Sequence, residues 1–144
     1  MAMPGRPRGV TLLAVFCGAS AVIAAASATS LAFPGSVLEP MWRANPRAHE
    51  GFNSLGIWAP SLLVMLSAVC VATAVGLWRG ARWGYLLAVT GLAVNIVGDS
   101  VNAVLGAEPR AALGIPIVLV LLWYLARPHV RAFVVARSSG RRTP

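Results

Sequence analysis

Lysine is absent from this chain of 144 residues, and acidic residues are nearly so: Glu39, Glu50, Asp99 and Glu108 are the whole set. Two cysteines, Cys17 and Cys70, are too few for a disulfide scaffold. Two histidines, His49 and His129, do not supply a Cys/His zinc pattern. No Ser-His-Asp set, Cys-x-x-Cys pair, glycine-rich phosphate loop or paired carboxylate occurs, so no reaction is written in the motifs. We therefore expect no cofactor and no metal, and the reading leans away from an enzyme without closing that class. Charged residues make up 11%, against roughly a quarter in a soluble domain. So little charge also excludes a disordered chain.

Apolar residues fill the space. They reach 58%, with 14 glycines besides, and the mean hydropathy is +0.74. A water-soluble fold of this size lacks the interior to hide that much apolar surface. The composition reads as an integral membrane protein with one domain over 1–144. Four apolar runs are candidate spans, at about 9–33, 57–78, 83–106 and 111–126. About 20 helical residues cross the hydrocarbon core, which the first three runs supply. The fourth has 16 residues between Arg110 and Arg127, so it must borrow length by snorkelling or by thinning the bilayer. Pro116 falls near its start, where a missing N–H costs little. The expected fold is all-α: an antiparallel four-helix membrane bundle.

Charge gives the orientation. All 12 basic residues are Arg and the net charge is +8. With the N-terminus inside, Arg6, Arg8, Arg79, Arg82, Arg127, Arg131, Arg137, Arg141 and Arg142 are cytoplasmic, and only Arg43, Arg47 and Arg110 lie outside. That asymmetry follows the positive-inside rule and puts both termini in the cytoplasm. Trp58, Trp78, Trp83 and Trp123 stand near span ends, as an aromatic belt requires. The basic stretches have no interleaved aromatics and no binding motif, so nucleic acid is not the expected partner. Arg without Lys, with much Ala and Gly, suits a GC-rich bacterial genome and places the protein in the inner membrane. The small-x-small triplet Ala26-Ser27-Ala28 imitates a signal-peptidase site. The apolar run before it exceeds the usual 7–15 residues, so we expect the first span to be retained.

Between the first two spans lies an outer loop, 34–56. Its stretch from Leu38 to Phe52 is a candidate interfacial helix with Trp42 at headgroup level. His49 and Glu50 are the loop residues nearest to a metal or acid–base pair, although no ligand spacing supports them. The link Arg79-Gly80-Ala81-Arg82 reads as a tight αα-hairpin turn. After Pro128, the segment 128–144 forms a basic amphipathic tail. Val130, Phe133 and Val134 lie on one side, while Arg127, Arg131 and Arg137 meet anionic headgroups of the inner leaflet.

The third span is unlike the others. At helical spacing Gly84, Ala88, Gly91, Asn95, Gly98, Asp99, Asn102 and Gly106 share a small, polar face, which should point at protein. Leu86, Val89, Leu92, Ala93, Ile96 and Val104 form the opposite, greasy face. Asp99 is the one ionisable residue well inside a span, and burying its charge costs about 2.5–3.5 kcal/mol. Asn95, Asp99 and Asn102 are thus the candidate functional face. Gly84, Ala88, Gly91, Gly98 and Gly106 are its packing residues. The segment Val94-Asn95-Ile96-Val97-Gly98 resembles the Val-Asn-x-x-Gly element of small four-span fluoride channels. Those channels also need a Thr/Ser-rich broken third helix and paired Phe residues, which this chain lacks. Cys17 and Cys70 fall inside spans, where packing as small hydrophobes is expected.

These features point first to a non-enzymatic accessory or assembly subunit, whose partners are lipid and another membrane protein or itself. The alternative is a homo-oligomeric transporter or channel for a cation, proton or small solute, lined by Asn95, Asp99 and Asn102. An intramembrane enzyme using Asp99 and His49 comes last, because a lone acid lacks a nucleophile.

Overall fold

A computed structural model describes residues 7–104 and 111–139. Among them the chain is all-helical, with no strand. The α-helices are α1 (Arg8–Ala32), α2 (Pro46–Ser54), α3 (Trp58–Trp78), α4 (Arg82–Val104), α5 (Ala111–Ala126) and α6 (Pro128–Ser139). A 3-10 helix, Glu39–Ala44, precedes α2.

Three of these, α1, α3 and α4, are long and apolar enough to cross a membrane. The fourth apolar run is too short alone. It reaches the required length only together with the helix after it, and the two are bent by 57° at Arg127. Pro128 explains the break: it disfavours helical geometry at Arg127 and suits the first position of a new helix. Pro116 is the sixth residue of α5, beyond the four free N–H groups of a helix start, so it also removes one helix bond. Large apolar side chains stay exposed along the spans, among them Leu12, Phe16, Val64, Met65, Leu86 and Val94. Exposed apolar surface on this scale suits lipid contact rather than water.

The chain divides into two compact units, one made of Met1–Val15 and Thr73–Pro144, the other of Phe16–Ala72. In the second unit, Ala21, Ala24, Ser27 and Ala28 of α1 are buried. The Ser67 hydroxyl of α3 donates to the Ala21 carbonyl at 2.9 Å, a contact that small side chains on α1 permit. Cys17 and Cys70 are free thiols and half-buried in this unit. Pro34 and Gly35 end α1, and Gly35 has the left-handed φ of +82° that the following turn needs.

Trp42, expected at headgroup level, packs against α1 rather than standing free. Trp42 is only 8% exposed, and its indole Nε1–H donates to Ser30 Oγ of α1 at 3.1 Å. His49 of α2 stacks on its ring at 4.8 Å, and Phe52 leans on it at 6.0 Å. The loop folds back on α1 because its Trp finds a hydrogen-bond partner there that lipid would not offer. Asn45 Oδ1 accepts from Ala48 N–H and caps α2.

In the first unit, α3 and α4 meet through a three-residue turn. Ala81 N–H donates to the Gly76 carbonyl (2.8 Å) and Gly80 N–H to that of Leu77 (3.0 Å). Gly80 has φ +65°, so this is a Schellman motif with glycine at the left-handed position. The apolar side of α6 is covered by protein, not by the leaflet surface expected for the tail. Val130, Phe133 and Val134 are buried, and α6 touches both α4 and α5.

Candidate functional site

The candidate site is α4 and its contact with α5. Tyr85 donates its hydroxyl to the Leu125 carbonyl at 3.2 Å, while Asp99 lies against Gly114. The two helices therefore run antiparallel. At the Arg82 end the approach is closest. A Cβ on Gly84 would fall on the backbone of Gly76, and one on Gly76 would fall on that of Gly84. Ala88, one turn on, is buried as well. Nearby, Gly9 of α1 takes the ring of Tyr124, which a Cβ would strike.

Beyond Ala88 the arrangement changes. Gly91 and Gly98 are exposed, and a Cβ on either would meet no described residue within 4 Å. Asn95 is exposed, and its Nδ2 donates to Asp99 Oδ2 at 2.9 Å. Asp99 itself is half-buried, with Oδ2 only 2.6 Å from where a Gly114 Cβ would stand. The half-buried residues of this stretch are Leu92, Ile96, Asp99, Ser100 and Ala103. At about 100° per residue, that face is rotated by roughly a quarter turn from the stripe of small residues. Leu92 and Ile96, from the greasy face, are among these half-buried residues. The sequence stripe thus breaks in two: its first half is closed by α3, and its second half is open.

Asn102 lies in α4 with its side chain outside the described residues, and Gly106 lies wholly outside them. His49 is occupied with Trp42, and Glu50 is exposed. Among the described residues no group of three His, Cys, Asp or Glu is placed to hold a metal. The Arg127 guanidinium lies 4.0 Å above the Trp123 ring, a cation–π contact, and Arg131 is exposed. The side chain of Arg137 is outside the described residues.

Sequence reasoning missed Gly9, Gly76 and Gly114 as contact glycines. One signal was there to read: Gly76, Gly80 and Gly84 are spaced by four, symmetric about the turn. Gly114 carried no such mark, since only the position of α5 places it opposite Asp99. No protein-family model, curated protein or solved structure matches the chain.

Proposed function

We propose that the chain is a non-enzymatic accessory or assembly subunit, seated in the inner membrane as an antiparallel bundle of four spans with both termini cytoplasmic. Its docking surface is the open half of the α4 stripe, and the occupant is a helix of another membrane protein. One observation carries this reading: a Cβ added to Gly91 or Gly98, on either side of the exposed Asn95, would meet no described residue within 4 Å. Small residues let a second helix come close, and in hydrocarbon the Asn95–Asp99 pair gains from a polar partner. The arginine asymmetry supports the orientation.

Native mass spectrometry of protein extracted in mild detergent tests it. A fixed-ratio complex with another membrane protein is expected. A Gly91→Leu/Gly98→Leu variant should lose that complex and keep its own unfolding temperature. A stable homo-oligomer, or a complex indifferent to the double variant, overturns the reading.

A second reading rests on Asp99, a half-buried acid whose carboxylate lies against Gly114 of α5. It makes the protein a homo-oligomeric conductor of a cation, proton or small solute. Asp99→Asn should then abolish flux in proteoliposomes while expression stays normal, and unchanged flux removes it.

A further inference from the structure

A second feature, independent of α4, lies where α1 ends and the 3-10 helix begins. A cavity of about 490 Å³ opens there, lined by Ser36, Glu39, Trp42, Arg43 and His49. That volume falls within the range of small-molecule sites. Two of its walls carry opposite charge. Glu39 is held in place, because its Oε2 accepts the Gly35 N–H at 2.7 Å, which leaves the other oxygen for a ligand. Arg43, one turn further on, is exposed. Among the described residues no carboxylate comes within 4.0 Å of a basic group, so these two charges do not neutralise each other. The third feature is Ser36, whose Oγ is buried and has no hydrogen-bond partner among the described residues. Buried hydroxyls in native structures almost always have a partner, so this one is available to a ligand. Beneath them the floor is rigid, since Trp42 is fixed by Ser30 on one edge and by His49 on its face.

An unpaired hydroxyl and a guanidinium on one side, with a carboxylate on the other, complement a molecule carrying an anionic oxo group beside an ammonium. Position narrows the class. Ser36 follows the last residue of α1, Ala32, by four positions, and α1 is long enough to cross a bilayer. The cavity therefore opens at the level where a membrane's phosphates and ammonium groups lie.

We propose that this cavity binds a phosphate–ammonium zwitterion of the phospholipid-headgroup type. Arg43 and the Ser36 hydroxyl hold the phosphate, and Glu39 holds the ammonium. The same chemistry comes from a lipid or from a free aminoalkyl phosphate, and the experiment separates them.

Full-length protein in a maltoside detergent is titrated by calorimetry with dihexanoyl-phosphatidylethanolamine, O-phosphoethanolamine and dihexanoyl-phosphatidylglycerol. Saturable binding of at least one zwitterion is expected, with phosphatidylglycerol weaker by about tenfold or more, as loss of one charged hydrogen bond implies. Arg43→Gln and Glu39→Gln should each weaken the zwitterion by about tenfold, and Ser36→Ala by about threefold. Gln at position 39 keeps the acceptor for Gly35 N–H, and Arg43 is exposed, so both variants retain the fold; circular dichroism checks this. Binding of phosphatidylethanolamine alone assigns the lipid as source, and equal binding of phosphoethanolamine assigns the soluble zwitterion. No saturable binding of either zwitterion overturns the proposal. So does phosphatidylglycerol binding as tightly, or affinity unmoved by both charge variants.

Discussion

The two halves of α4 carry the same kinds of residue and meet opposite fates. Gly84 and Ala88 in the first half are closed in, with Gly84 against the backbone of Gly76. Gly91 and Gly98 in the second half face open space. A glycine in a span is therefore not evidence of contact within the chain. What distinguishes the halves is the neighbour: a three-residue turn forces α3 onto the first half, whereas the second half meets α5 on a different face.

Four substitutions sharpen or break this contrast. The largest effect is expected from Gly84→Val, because its side chain would strike backbone that cannot yield. Thermal unfolding in detergent should show a loss of about 3 kcal/mol, the upper range for overpacking. Next comes Gly114→Ala, whose methyl would lie 2.6 Å from Asp99 Oδ2 and displace the carboxylate. A loss of about 1–2 kcal/mol is expected, and it should vanish in an Asp99→Ala background, where a double-mutant cycle reads the coupling. Tyr85→Phe removes the bond to the Leu125 carbonyl and should cost about 0.6 kcal/mol, the average for such bonds between membrane helices. Gly98→Ala stands last, expected to leave the melting curve within about 0.5 kcal/mol of the parent. Equal effects of Gly84→Val and a matched Gly98→Val would erase the difference between the halves.

Much of the fold was legible in the sequence because apolar runs and their Pro and Gly boundaries report helix limits directly. The runs about 9–33 and 57–78 correspond within a residue to Arg8–Ala32 and Trp58–Trp78, and 111–126 to Ala111–Ala126. What covers a helix face was not legible. Periodicity gathered Gly84 and Gly98 on one stripe, but only the placement of α3 and α5 decides which is covered. The apolar side of α6 was visible at Val130, Phe133 and Val134, yet the same pattern serves lipid or protein. Trp42 shows the limit most clearly. In sequence it looks like the four tryptophans near span ends, all of them exposed, and only the Ser30 hydroxyl twelve residues earlier sets it apart. At the candidate site, Asn95 and Asp99 were named from sequence and are hydrogen-bonded to each other, whereas the contact of Asp99 with Gly114 needed coordinates.

The glycine turn between α3 and α4 has a consequence for biosynthesis. Three residues, 79–81, span about 10 Å at full stretch, a third of the roughly 30 Å hydrocarbon thickness. If α3 and α4 both cross a membrane, Trp78 and Arg82 surface on the same side, where Arg79 and Arg82 flank both helix ends. A pair of spans joined this tightly would enter the bilayer as one hairpin, and a single accessibility label at Arg79 would report the sidedness of both ends.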